Sequence, residues 1–130
     1  MTCDLQRWPL VRCVYDQAMD LQHYSSQLDD WALWLARKEP FALLRIYRSA
    51  AALQHPEGSA PLAKAWLQNT VPRLKGAVMA MATVVPASEY ETLKQFPAGK
   101  LLGITAELFV EEAEAMDWLT AQMAAYSAQD

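Results

Sequence analysis

Apolar runs of strand length alternate along this chain with longer stretches whose apolar residues recur at helical spacing. The run 77–85 holds no charged residue, and the run 41–47 is broken only by Arg45. Each is therefore predicted to be a strand whose two faces are both covered by helices. Two further runs, 8–15 and 104–110, are also predicted to be strands.

The stretches between these runs have the periodicity of helices. Residues 17–38 place apolar side chains at alternating steps of three and four, which predicts one long amphipathic helix. Three further helices are predicted: one from Pro61 onwards, a short one over 90–96 that Pro97 and Gly99 close, and one from Glu111 onwards.

The predicted order of elements is β-α-β-α-β-α-β-α, which is typical of the α/β class. Strands joined through helices of this length become parallel neighbours, so we expect a single-layer, mostly parallel four-stranded sheet with helices packed on both faces. Half of a CheY-like or Rossmann-like fold fits the same pattern. With 130 residues, 53% of them hydrophobic, and no linker-like segment, the whole chain 1–130 is expected to be one domain.

Four stretches of the sequence point to a family: the helix end and strand start at 37–44, the helical segment 62–67, the strand start 76–78, and the ending 109–119 with its Glu-Ala-x-x-Trp-Leu. In these stretches the chain resembles the STAS-like (anti-sigma-factor-antagonist-like) family. The resemblance implies a compact α/β sandwich that needs no cofactor and acts through protein contacts. It also implies that the first strand can run antiparallel at an edge of the sheet.

The resemblance does not extend to the regulatory turn of that family. Kinase-regulated members carry a turn such as Asp-Ser-Ser-Gly after the strand that matches 41–47, whereas this chain has Arg48-Ser49-Ala50-Ala51 there. Because the Asp and the Gly are missing, phosphorylation of Ser49 is not implied.

Charge and cysteine content limit the partners and the compartment. The formal net charge is -4 and no segment concentrates Lys and Arg, which argues against nucleic-acid binding. The N-terminal residues lack a basic region followed by an apolar run, and no apolar stretch is long enough to span a bilayer. Cys3 and Cys13 are expected to be free thiols, because a bridge would close only a small loop and a cytoplasmic location fits the rest.

Ligands of open α/β sheets bind at the carboxyl ends of the strands. There, Arg48 with Ser49 and the helix starts at Ser59 and Ser88 form a candidate anion site. The alternative is that Ser59 and Ser88 merely cap their helices, with Ser88 and Glu91 as a capping box, while Arg48 is solvated.

Three charged residues interrupt apolar strands: Arg12, Arg45 and Glu107. Three interpretations stay open. Glu107 forms an ion pair with one of the arginines inside the sheet, the long side chains reach past the sheet edge, or the charges face a ligand.

No catalytic or metal-binding motif is present. His23 and His55 have no nucleophile or carboxylate partner at motif spacing, and the acidic residues 111–117 suit the start of a helix. Asp16 resembles a phosphoacceptor aspartate, but the neighbouring acidic pair and the later Lys of a receiver domain are missing.

The most consistent function is that of a non-enzymatic interaction or small-ligand-binding domain without cofactor or metal. Its partner is another protein or a second copy of the chain, and its ligand is a small anionic or apolar molecule. Trp8 and Trp34 are candidate interface residues, with widened core packing as the alternative. The rival functions are a small enzyme with a site near Arg48, Ser49 and Ser88, and a carrier of apolar ligands or lipids.

Overall fold

The apolar runs form the strands of one mixed sheet in the computed structural model, which describes residues 2–128. The strands lie in the sheet in the same order as in the chain. The first pair is antiparallel and the remaining pairs are parallel, so the predicted α/β class with a mostly parallel sheet is confirmed. The strands are β1 (Thr2–Asp4), β2 (Leu10–Tyr15), β3 (Phe41–Tyr47), β4 (Val78–Val84) and β5 (Ala106–Phe109).

The sheet has one strand more than the four predicted. The antiparallel edge strand is the three-residue β1, whereas the first predicted strand is β2 and runs parallel to β3. A segment of three residues is too short for a recognisable apolar alternation, and its pairing with β2 depends on the turn between them. The register of this pair sets Cys3 directly opposite Cys13.

Five helices and one turn of 3-10 helix (Ala51–Leu53) connect and cover the strands. One helix more is present than predicted, because Pro97 and Gly99 belong to a further short helix instead of closing the one before it. Gly99 is needed there, since a Cβ atom on it would lie 2.9 Å from the carbonyl oxygen of Ile104. The helices are α1 (Leu21–Ala36), α2 (Ser59–Leu74), α3 (Ala87–Lys94), α4 (Ala98–Leu102) and α5 (Glu112–Ala128).

The strand order decides which face each helix covers. Connections between parallel neighbours are right-handed, and here each step goes in the same direction across the sheet, so the connecting helices α1 to α4 share one face. Helix α5 follows the last strand, is not part of a crossover, and packs on the opposite face. The sequential order differs from the doubly wound order of the CheY-like and Rossmann-like alternatives.

Aromatic side chains dominate the core between the sheet and α1. Phe41 of β3 is fully buried and contacts three indole rings, those of Trp8, Trp31 and Trp34, with ring centroids between 5.4 and 6.5 Å apart. Trp66 of α2 adds an edge-on contact to Trp31. Such ring pairs stabilise a core beyond their burial alone.

Small side chains characterise the core on the α5 face. The sheet presents Ala42, Ala80 and Ala82 to this helix, and the helix answers with Ala115 and Leu119, all of them buried. The alanines at these positions allow the helix and the sheet to pack closely, while larger side chains such as Leu44, Ile46 and Leu119 fill the rest of this core. Interior strand β4 is therefore covered on both faces, as its uncharged sequence predicted.

Cys3 and Cys13 form a disulfide bond, so the expectation of free thiols is wrong. The pairing of β1 with β2 brings the two residues opposite one another, with Cα atoms 4.1 Å apart. Their sequence separation gave no hint of this contact, which depends on the register. Disulfides are typical of oxidising compartments, so the predicted cytoplasmic location loses the support that free thiols gave it.

Within residues 2–128, no helix combines the length and the apolar character that crossing a bilayer requires.

Asp20 caps the N-terminus of α1, and we expect its replacement by Ala to destabilise the fold. Its carboxylate accepts a hydrogen bond from the backbone N–H of His23 at 2.8 Å, and this bond holds the pKa of Asp20 below its ordinary value. A lowered pKa means that the stabilisation is complete above the unfolded-state value and is lost as the pH falls through the folded-state value. Urea unfolding of Asp20→Ala should therefore show a deficit at neutral pH that shrinks as the pH falls below the ordinary pKa of an aspartate.

The matched control is Asp20→Asn, which keeps an oxygen acceptor at the cap but carries no charge. We expect its free energy of unfolding at neutral pH to lie between those of the unmodified chain and Asp20→Ala, because the neutral oxygen still accepts the hydrogen bond whereas the charge-dependent part, which gives the pH dependence, is lost. A loss as large as that of Asp20→Ala would mean that the charge acts by another route than capping.

Candidate functional site

A large cleft lies between the sheet and the helices α1 to α4. Its volume is about 910 Å³, at the upper end of the range of small-molecule sites. Apolar side chains form most of its walls, and every helix of this face contributes some of them. They include Leu28 and Trp31 from α1, Trp66 and Leu67 from α2, Leu93 from α3, and Leu102 from α4.

The floor of the cleft is the sheet itself. Alternate residues of a strand point to the same face, so the β3 positions 41, 43, 45 and 47 face the helices α1 to α4. The parallel register places Met81 beside Leu43 and Thr83 beside Arg45. Arg45, Tyr47, Met81 and Thr83 all line the cleft.

Arg45 is the one cation contributed by a strand to this floor in the described part of the chain. Its Nε and Nη2 atoms donate hydrogen bonds to Oγ1 of Thr83 at 3.2 and 3.0 Å, and its guanidinium lies 5.8 Å from the ring centre of Tyr47. The side chain is half-buried. None of the ion pairs formed within residues 2–128 includes Arg45.

Tyr47 continues the floor beyond Arg45 and stacks on Tyr15, a buried residue that does not itself line the cleft. The rings of Tyr15 and Tyr47 are nearly parallel, with centroids 4.5 Å apart. Gln27 of α1 donates a hydrogen bond to the Tyr15 hydroxyl. Burial raises the pKa of Tyr15 well above its ordinary value, so this phenol stays neutral and fixes the end of the floor in place.

One side of the cleft is bordered by exposed residues of α3, α4 and the link between them. Phe96 and Leu101 are 73% and 63% exposed although both are large and apolar. Lys94 and Lys100 lie beside them and also line the cleft. This border is therefore apolar with positive charge at its rim.

The residues predicted for an anion site are brought together only in part. Arg48 and Ser49 follow β3 and lie close to Asp16, which follows β2. The guanidinium Nε of Arg48 is 3.6 Å from the Asp16 carboxylate, and the Ser49 hydroxyl donates to the Asp16 carbonyl at 3.2 Å. The charge of Arg48 thus already faces a carboxylate. Anion binding at this place stays a prediction.

Neither serine caps its helix, so the predicted capping roles are wrong. Ser59 is the buried first residue of α2, and the cap position is Gly58, whose φ of 86° suits glycine. Ser88 lies exposed inside α3, whose cap position is Pro86, and no side chain closes a capping box there. Ser59 lies in α2 and Ser88 in α3, whereas Arg48 and Ser49 follow β3.

The two candidate interface tryptophans differ in exposure. Trp34 is only 4% exposed and packs against Trp31 and Phe41. It is therefore a core residue, as the alternative interpretation predicted, and its ring is too buried to contact a partner. Trp8 is half-buried between Phe41 and the guanidinium of Arg37, which lies 4.3 Å from its ring centre. Homodimerisation stays a prediction from the sequence.

The predicted ion pair of Glu107 with a strand arginine is not formed. Glu107 lies on β5, two strands from Arg45, and its carboxylate accepts from the backbone N–H of Leu108. Arg12 pairs instead with Glu112 at the start of α5, with Nη2 and Oε2 3.0 Å apart. The start of α5, which the acidic residues 111–117 predicted, is thus linked to β2 by this ion pair.

The histidines and acidic residues do not assemble into a reactive cluster in the described ranges. His23 pairs with Asp20 on the surface, and His55 contacts the ring of Tyr24 at the cleft edge. Residues 2–128 contain no group of three or more His, Cys, Asp or Glu side chains placed to hold a metal ion.

Comparison with known proteins adds no relative to this geometry: no family model, no curated protein and no solved structure matches the chain. The STAS-like resemblance stays a prediction from the sequence.

Sequence reasoning named Arg45 as a charge that faces a ligand in one of three interpretations, but it did not find the cleft around it. The signal was present in the strand 41–47, where one Arg interrupts an apolar run. The cleft itself depends on how far α3 and α4 stand from the sheet, which no periodicity records.

Proposed function

We propose that the chain is a non-enzymatic binding domain for a small, mainly apolar molecule held between the sheet and the helices α1 to α4. The observation that carries this proposal is the cleft of about 910 Å³ with its apolar walls. A ligand that fills this open cleft removes its apolar walls from water, which is favourable roughly in proportion to the apolar area buried.

The arrangement of the walls supports binding in preference to catalysis. Trp66, Leu67 and Phe96 supply apolar surface that a ligand can reach, and few polar groups converge on any one point of the cleft. The polar residues at the strand ends, Arg48 and Asp16, are engaged with one another. A site that fixes a ligand mainly by shape and burial is typical of carriers and sensors.

A cavity-filling substitution tests the proposal, and we expect Ala63→Phe to weaken ligand binding. Ala63 of α2 lines the cleft, so a phenyl group there takes up volume that a ligand needs. With 1-decanol as probe and tryptophan emission as readout, we expect the dissociation constant to rise about tenfold, since overpacking costs roughly 1–3 kcal/mol. Trp31 and Trp66 act as reporters because both line the cleft.

The control is Ala65→Phe, on the same helix but at an exposed position outside the cleft. This variant should bind 1-decanol as the unmodified chain does. Failure of the unmodified chain to bind, or equal weakening by both variants, would contradict the proposal.

A further inference from the structure

We infer that the ligand carries a single carboxylate, which binds the guanidinium of Arg45 on the floor of the cleft. This inference rests on the proposed function and specifies the chemistry of the occupant. The observation behind it is a half-buried cation among apolar walls that lacks a carboxylate partner within residues 2–128.

A charge in such surroundings needs a counter-charge. Arginine side chains are rarely buried unless they are paired, because removal from water disfavours the charged form and arginine cannot escape by losing its proton. Within residues 2–128, Arg12 and Arg48 each face a carboxylate, whereas Arg45 has only the Thr83 hydroxyl and the Tyr47 ring. Glu107 also lines the cleft, but it lies two strands away and forms no ion pair with Arg45. The missing anion is therefore expected from the ligand.

The geometry favours a carboxylate. Thr83 engages the Nε and Nη2 side of the guanidinium and holds its plane in one orientation, while Nη1 has no hydrogen bond to any described residue. A planar guanidinium offers paired N–H groups that match the two oxygens of a carboxylate. One guanidinium on the floor suits one negative charge.

The body of the ligand follows from the walls. The apolar and aromatic walls that a ligand can reach include Tyr47 on the floor and Leu28, Trp66 and Leu67 on the facing helices, all half-buried. An aliphatic or aromatic chain attached to the carboxylate would contact these side chains while its head group reaches Arg45. The chemical class is thus an apolar monocarboxylic acid.

The test compares decanoate with 1-decanol, which differ only in the head group. In the Arg45→Gln variant we expect the dissociation constant of decanoate to rise about tenfold to a hundredfold, as hydrogen bonds to a charged group are worth roughly 1.5–3 kcal/mol. The dissociation constant of 1-decanol should rise far less, because the alcohol carries no charge for the guanidinium to pair with. Arg48→Gln is the matched control, since Arg48 lies three residues away and outside the cleft, and it should alter neither ligand.

A second variant covers the case in which Arg45→Gln does not fold. Arg45→Lys keeps the positive charge but loses the paired N–H groups, so decanoate binding should weaken to an intermediate extent. Thr83→Val removes the hydroxyl that orients the guanidinium and should weaken the binding of decanoate more than that of 1-decanol.

The outcomes separate the two proposals. Binding of neither ligand to the unmodified chain would overturn the binding function itself. If 1-decanol binds but no substitution of Arg45 changes the dissociation constant of decanoate, the inference about the carboxylate is overturned. The proposed binding function of the cleft would then still hold. Loss of decanoate binding in Arg48→Gln alone would move the anion to the strand ends and overturn it as well.

Discussion

Phe41→Ala is expected to lower the free energy of unfolding by about 3–5 kcal/mol, the usual cost of removing a buried phenyl ring. Phe41 has no exposed surface, and its ring meets the indoles of Trp8, Trp31 and Trp34. Removing it takes contacts from all three at once and leaves a cavity that rigid β3 cannot collapse. Urea unfolding followed by circular dichroism measures the loss as a fall in the midpoint.

Phe96→Ala is the matched control for this substitution. The same atoms are removed, but Phe96 is 73% exposed at the border of the cleft. We expect the free energy of unfolding to change by no more than about 0.5 kcal/mol. Equal losses for the two variants would show that the aromatic cluster around Phe41 is not the core of the fold.

Removal of the disulfide bond in Cys3→Ala is expected to destabilise the chain by about 2–3 kcal/mol, from the entropy that a short covalent loop removes from the unfolded state. The bond joins residues ten apart and ties the edge strand β1 to β2. Cys3 is the better position to change, because Cys13 is fully buried and its replacement would also disturb packing. The measurement is urea unfolding under non-reducing conditions.

A reducing agent provides the internal control. Dithiothreitol should lower the stability of the unmodified chain to that of Cys3→Ala and leave the variant unaffected. If the reductant made no difference to the unmodified chain, the two cysteines would not be bonded in solution.

The sequence predicted those elements whose signal is local. The run 41–47 and the uncharged run 77–85 are strands within one residue of the predicted limits, because continuous apolar segments need burial on both faces. The edge strand Thr2–Asp4 was missed, since its pairing depends on a partner eight or more residues away. The same non-local register decides the disulfide bond.

The functional site was less accessible to sequence reasoning for a related reason. The charge of Arg45 within an apolar strand was visible, but its neighbours Thr83 and Tyr47 come together only through strand register and side-chain alternation. Ser59 and Ser88 were predicted to act at helix starts because the start of a helical pattern is visible in the sequence. The hydrogen bonds that a side chain makes there are not visible in it. The volume of a cleft depends on packing distances, which a linear pattern does not contain.

Strand β1 also determines how the sheet ends on one side. By pairing with Arg12, Cys13 and Val14 of β2 it occupies backbone groups that would otherwise be free to join a strand of another molecule. At the other side, β5 is only four residues long and carries the exposed Glu107, which discourages such joining. Detachment of β1 after reduction would therefore free the edge of β2 at residues 12–14, so that aggregation of the reduced protein would begin at this edge of the sheet.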